Sequence, residues 1–254
     1  MGSEVNILYT ATAAALAALA SICSPTPASA HSAPPAWPAV YLVPHQDDET
    51  LVMGASILQH VEAGRQVWIF LATDGSATQA CKTLGLSPAA CTAERDREFR
   101  AAARSLGVPD SHVRIATRPD GSRYRDGSLT YSDARAILSW AVNTVRRANA
   151  GSPRMSVKAP SWTDDHPDHA ALGAALRDAS VSDARFFLKD FSPARPQAPK
   201  GTRVGADRPH DHSALYAARD AYRSGAGVGY LSVRPAFDYV VAHPWRRTHT
   251  RVGK

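Results

Sequence analysis

Two short apolar runs, AVYLV (Ala39–Val43) and QVWIFLAT (Gln66–Thr73), flank the segment ETLVMGASILQHVEAG, whose apolar residues recur at helical spacing. The runs are rich in β-branched and aromatic side chains without polar alternation, the pattern of strands buried on both faces. The middle segment stops at Gly64, which suits a left-handed C-terminal cap. Strand, helix and strand in that order require a crossover, and so a parallel pair. Nothing else in the chain restricts its fold as strongly.

The alternation continues. Helices fit AERDREFRAAARSLG (Ala93–Gly107) and SDARAILSWAVNTVRRA (Ser132–Ala148), and another is expected after Pro167. Strands fit HVRIA, MSVKAPS and ARFFLKDF (Ala184–Phe191). The expected architecture is α/β, a Rossmann-like, mostly parallel sheet with helices on both faces. With 254 residues and 44% apolar content, the chain can bury one large core. Two long loops interrupt the rhythm, Thr117–Ser128 and the Pro/Gly-rich Ser192–His212. Loops of that length in a compact domain are commonly functional or linking segments.

Ahead of the domain, ILYTATAAALAALASI (Ile7–Ile22) and SPTPASA, with Ala28-Ser29-Ala30 as an A-x-A site, have the layout of a secretory signal peptide. The basic residues usual at its start are missing, because the first six positions carry Glu4 and no Lys or Arg. Sixteen mostly small residues are short for about 30 Å of hydrocarbon, so cleavage is expected rather than a membrane anchor. The expected division is residues 1–30 as leader and 31–254 as the domain. An exported chain that retains Cys81 and Cys91 suggests a disulfide between them, with two unrelated thiols as the alternative. The net charge of the chain is +6, and Glu4 is the one charged residue before position 31. The domain is therefore basic, which favours anionic surfaces such as cell-wall polymers. Its charges are scattered without an aromatic-interleaved patch, so nucleic acid is not an expected partner.

VPHQDDETL (Val43–Leu51) sets one imidazole and three carboxylates within five positions at the end of the first strand. Ligands of open α/β sheets bind beyond the carboxyl ends of strands. His45 and Asp48, three apart, can face one point and suit zinc, but a catalytic zinc needs a third ligand. WTDDHPDHAALG (Trp162–Gly173) supplies candidates, following another strand, with Asp165 and Pro167 placed to start a helix. His166 and His169 are again three apart, and either could complete the set. Each stretch alone is as often a solvated helix start; the pairing of both at strand ends gives them weight.

PHQDDETL and HPDHAALG resemble the two signature motifs of the LmbE/PIG-L family of zinc-dependent de-N-acetylases. ATDG (Ala72–Gly75) and ERDREFRAAARSLGV (Glu94–Val108) fit the same pattern, and the resemblance covers Ala39 to Asp178. It implies one Zn2+ per chain, with Fe2+ as the alternative, held by His45, Asp48 and His169. It also implies Asp47 as general base, His166 as acid or electrostatic stabiliser, Asp168 orienting His166, and Arg95 contacting a sugar. The implied substrate is an N-acetylglucosamine-containing sugar or glycoconjugate. Gln46 stands where the family usually has Pro. A metal-dependent phosphoester hydrolase and a non-catalytic sugar-binding relative are the competing readings. Asp74 fits substrate contact or a turn cap equally, and Trp162 fits sugar stacking or core packing equally. His210 and His212 are expected at the surface, Tyr216 and Tyr222 in a helix, and HPWRRTHTRVGK as a solvated tail.

Overall fold

The computed structural model of the protein describes residues 37–150, 154–189, 202–205, 208–242 and 249–252. The expected leader and most of the 192–212 loop lie outside them. β1 (Ala39–Val43) leads into a one-turn helix α1 (Asp48–Leu51) and then α2 (Gly54–Glu62). β2 (Val67–Leu71), α3 (Gln79–Thr83), α4 (Pro88–Ser105) and β3 (Val113–Ile115) follow. α5 (Tyr131–Ala148), β4 (Ser156–Pro160), α6 (Pro167–Arg177) and β5 (Asp183–Lys189) continue the alternation. Beyond them come β6 (Thr202–Val204), α7 (Pro209–Arg223), α8 (Val228–Ser232), α9 (Arg234–Ala242) and β7 (His249–Val252).

The sheet has the order β3-β2-β1-β4-β5-β7-β6. The first five strands in that order are parallel neighbours, and β7 and β6 add an antiparallel extension. The tail expected to be solvated thus contributes β7, whose HTRV pairs with β5. After β1 the chain builds outward through β2 and β3, then returns to place β4 on the other side of β1. The connections beyond β1 and β4 therefore part in opposite directions and leave a crevice at their carboxyl ends. Both signature stretches open there.

β1 and β2 are buried along their whole length, as their continuous apolar runs require. Tyr41, Val43, Ile69 and Leu71 face α2, α4 and α7; Val40, Leu42, Trp68 and Phe70 face α5 and α6. Each fully buried Val, Leu, Ile or Phe contributes about 1.5–3 kcal/mol of transfer free energy. Helix starts are chemically marked. Ser87 caps α4 ahead of Pro88, and Thr130 with Asp133 forms a reciprocal capping box on α5. The single helix expected over residues 49–64 is two, because Met53 N–H reaches back to the Asp48 carbonyl at 3.2 Å and widens the turn. Among the described residues no helix is long and apolar enough to cross a membrane.

Candidate metal centre

The turn after β1 is strained at one residue. Asp47 has φ 123° and ψ −30°, a conformation that non-glycine residues seldom adopt. It is held there from several sides. The Asp47 carbonyl accepts from Thr50 and Leu51 N–H at 3.0 and 2.8 Å, and its own N–H donates to Glu49 Oε2 at 3.2 Å. Glu49 is fully buried, accepts the Tyr222 hydroxyl from α7 at 2.7 Å, and has its carboxyl pushed up to about 8 by burial. Strain that persists under such support is a mark of functional positions.

Asp48 Oδ2 is the point on which the centre converges. His45 Nδ1 lies 3.2 Å from it and His169 Nε2 3.1 Å. One nitrogen from each of His45, His166 and His169 falls within 4.8 Å of the others. His45 and Asp48 come from the turn after β1, His169 from the first turn of α6. His166 is the N-cap of α6: its Nδ1 accepts from Asp168 N–H at 3.3 Å, which leaves Nε2 as the N–H donor. The helix cap is thus His166, where Asp165 was expected.

Electrostatics favour a cation at this point. Burial opposes charge on His45, but the carboxylates of Asp126, Asp168 and Asp48 outweigh it and raise its pKa well above the ordinary imidazole value. Burial also opposes charge on Asp48, yet His169 and His45 hold its carboxyl well below the usual range. His166 shifts the other way, lowered by burial and by its two neighbouring imidazoles. Two imidazoles and a carboxylate, dry on the protein side and open to a cavity on the other, fit a three-ligand divalent cation with an exchangeable position. Ligation needs neutral imidazoles, so a cation there takes over the charge that protons otherwise supply.

The cavity encloses about 300 Å³. Asp47, Arg95, Asp126, His166, Thr78 and Ser232 are among its lining residues, together with the convergent His45, Asp48 and His169. Arg95, expected to contact a sugar, reaches the cavity but directs its Nη donors to protein: Asp47 Oδ2 at 2.9 Å, Gly75 O at 2.7 Å and the Gln46 carbonyl. It therefore positions the Asp47 carboxylate. Asp168 was expected to orient His166; its Oδ2 instead lies 3.0 Å from His45 Nε2, and its two oxygens accept Gly127 and Leu129 N–H. The HPDH turn aims that carboxylate across the crevice, toward β1. Asp74 serves as a turn cap, accepting from Ser76 and from Asp126 N–H. Trp162 packs edge-on against Phe186 in the core and does not line the cavity. His210 is exposed beside Glu62, away from the cavity.

Asp126 is the residue the sequence did not reveal. Its Oδ1 lies 3.1 Å from His45 Nε2, and it stands in the Thr117–Ser128 loop, which signalled function by length without singling out a side chain. Cys81 and Cys91 lie within disulfide reach, with Cα atoms 5.7 Å apart, in a small apolar cluster with Ala80 and Val228.

Comparison with known proteins agrees with the fold and the motifs. A 1D-myo-inositol 2-acetamido-2-deoxy-α-D-glucopyranoside deacetylase from Kineococcus radiotolerans is 34% identical over 159 residues, 54% of this chain and 43% of that protein. The chain therefore aligns with less than half of that relative's length. An N,N'-diacetylchitobiose deacetylase from Pyrococcus horikoshii superimposes with TM-score 0.54 at 18% identity, covering 85% of this chain and 82% of that one. A 4-carboxy-2-hydroxymuconate hydratase from Pseudomonas putida does so equally well, TM-score 0.54 at 16% identity over 86% and 97%. At such identities the structural likeness concerns the fold, and these two reactions on one scaffold leave chemistry to the site. The family model described as PIG-L, GlcNAc-PI de-N-acetylase, matches residues 40–180, which contain both signature stretches and the convergent His45, Asp48 and His169; the chain belongs to that family.

Proposed function

We propose that the protein is an exported, metal-dependent N-deacetylase that hydrolyses the acetamide of an N-acetylglucosamine-containing sugar or glycoconjugate. One observation carries the reading: His45, Asp48 and His169 meet at one point beside a cavity into which Arg95 holds the Asp47 carboxylate. The relative from Kineococcus, named for removal of an acetyl group from a glucosamine-type sugar, supports the substrate class.

Zinc or ferrous iron held by His45, Asp48 and His169 would polarise the amide carbonyl and acidify a water. Asp47, fixed by Arg95 at 2.9 Å, accepts the proton of the attacking water. His166, with Nε2 as donor, faces the cavity and stabilises negative charge on the carbonyl oxygen. The proton taken by Asp47 passes to the departing nitrogen, so amide and water leave as acetate and amine. Asp168 takes no part in proton transfer; it holds His45 and the 127–129 backbone.

Asp47→Asn is expected to keep the metal and lose about 10²–10⁴-fold in turnover. Acetate release from N-acetylated sugars, with metal content measured on the same samples, tests this. Normal turnover by D47N would remove Asp47 as base, and phosphate release from phosphoesters in place of acetate would move the protein to the competing hydrolase class. Export rests on the apolar stretch Ile7–Ile22 and the Cys81–Cys91 pair. N-terminal sequencing of protein recovered outside the producing cell should begin at His31; an intact residue 1–30 segment on that protein would refute cleavage.

A further inference from the structure

A half-buried polar chain links Gln46 to the Thr117–Ser128 loop. Gln46 is fully buried and its Nε2 donates to Asp96 Oδ1 at 2.7 Å and to the Asp74 carbonyl at 3.3 Å. Asp96 Oδ2 accepts Arg123 Nη1 at 2.6 Å, and Arg123 Nη2 donates to the Thr73 carbonyl at 2.6 Å. Gly75 makes room for this arrangement, since a Cβ there would collide with Gln46 Oε1 and Arg95 Nη1. Three residues after Arg123 the same loop delivers Asp126. Its N–H is held by Asp74 Oδ1 at 3.0 Å, its Oδ2 accepts Ala77 N–H at 3.2 Å, and its Oδ1 faces His45 Nε2.

We propose that Gln46, Asp96 and Arg123 brace this loop so that Asp126, alongside Asp168, orients His45 and makes the loop part of the metal centre. The inference rests on the metal-binding reading above. His45 presents Nδ1 to the convergence point and Nε2 to the two carboxylates, 3.1 Å from Asp126 and 3.0 Å from Asp168. A carboxylate on the far nitrogen of a ligating histidine fixes its tautomer and ring plane and increases its basicity. Asp168 is rigid, buried in α6 with two backbone donors. Asp126 comes from a loop without a helix or strand of its own, tied at Tyr124 by a bridge to Thr73 and at Asp126 by Asp74 and Ala77, and a third tie at Arg123 completes its hold. That third tie runs from Arg123 through Asp96 to the Gln46 side-chain amide beside the end of β1. Asp126 and the three brace residues are positioning residues.

The test measures zinc affinity by competition titration, with the unfolding midpoint of the metal-free protein as control. D126N should weaken zinc binding about 10- to 100-fold while leaving that midpoint nearly unchanged. R123A and Q46L should each weaken it about three- to tenfold, and the double variant D126N/R123A should bind zinc no worse than D126N alone. Should R123A lower the metal-free midpoint markedly, R123K, which keeps the charge and one arm, replaces it in the cycle. Wild-type protein that binds zinc while D126N binds it equally well would overturn the role of Asp126. Full multiplication of the R123A and D126N effects would overturn the brace, because Arg123 would then act by another route. A wild-type chain that binds no divalent ion would overturn both this inference and the function proposed above.

Discussion

The same sheet carries two buried polar clusters, and they are built to opposite ends. One is the candidate metal centre at the carboxyl edge of β1 and β4. The other lies within the sheet's α2 face, where Lys158 of β4 sits beside Tyr41 of β1 in register. Lys158 is fully buried, its Nζ donates to Ser156 Oγ at 2.7 Å, and it stands 5.0 Å from the centre of the Tyr41 ring. The Ser156 hydroxyl in turn donates to Asp183 Oδ2 at 2.6 Å. The Tyr41 hydroxyl bonds Ser56 Oγ at 2.9 Å and His60 Nδ1 at 3.1 Å. The hydrogen bonds of this second cluster run from protein group to protein group, and its residues do not line the cavity beside His45, Asp48 and His169. At the metal centre the donors and acceptors converge on a point shared with a cavity, and the backbone at Asp47 is strained to achieve it. Buried charge alone therefore does not mark a site; convergence on an open point does.

The largest expected effect is a crossover between the clusters. H169Q, which keeps volume and removes the ligand, should weaken zinc binding by at least about a hundredfold, since loss of an outer hydrogen-bond partner alone costs 10–100-fold. The metal-free protein should lose no more than about 1 kcal/mol of stability. K158A should do the reverse. Emptying a buried four-carbon stem and its hydrogen bonds costs roughly 2–4 kcal/mol, with zinc affinity and turnover of the folded protein unchanged. Denaturant melts and zinc titrations on both variants check this. A tenfold change of zinc affinity in K158A would dissolve the distinction.

A smaller effect isolates the strain. Both D47A and D47G remove the carboxylate that Arg95 holds, so the difference between them reports the backbone. Glycine accepts φ 123° without a Cβ clash, whereas alanine does not. D47G should therefore be more stable than D47A by about 1–2 kcal/mol, even though glycine in an ordinary position is the less stabilising residue. Equal unfolding midpoints would mean that position 47 is unstrained. Nothing comparable is expected in the sealed cluster, where no described residue has a positive φ outside glycine.

What could be read in advance follows from how local each signal is. β1, β2 and the crossover were legible because continuous apolar runs and helical spacing are written over neighbouring residues. The convergence of His45, Asp48 and His169 was legible for the same reason: each sits within a few positions of a strand end, and the sheet topology brings the two ends together. Asp126 was not, because nothing adjacent to it in RDGS distinguishes a ligand-orienting carboxylate from a turn residue; its role depends on a loop folding back across the crevice. Asp168 was assigned to the wrong histidine because sequence proximity favours His166, whereas the turn of α6 directs the carboxylate to His45. β7 was missed since an isolated four-residue strand at a sheet edge has too little apolar periodicity to stand out from a basic tail.

The smallest prediction separates the clusters by pH. Burial, with the charge of Lys158 next, lowers the pKa of His60 to about 4, against about 6.5 in an unfolded chain. Between those values the unfolded state binds more protons at this position, so stability rises with pH. The contribution is fully present above about pH 6.5 and is lost as pH falls toward 4. His60 is only partly buried, and after allowance for solvent screening the effect is roughly 1–2 kcal/mol. Glu49 at the metal centre titrates with the opposite sign: its folded value of about 8 favours the protonated fold, and that contribution disappears as pH rises. Comparing H60Q with the wild type across pH 4–7 cancels the groups they share and leaves the histidine. The two stability curves should converge toward the acid end, with H60Q showing the shallower loss. Parallel curves would mean that His60 titrates as it does in the unfolded chain, and that the sealed cluster is not sealed.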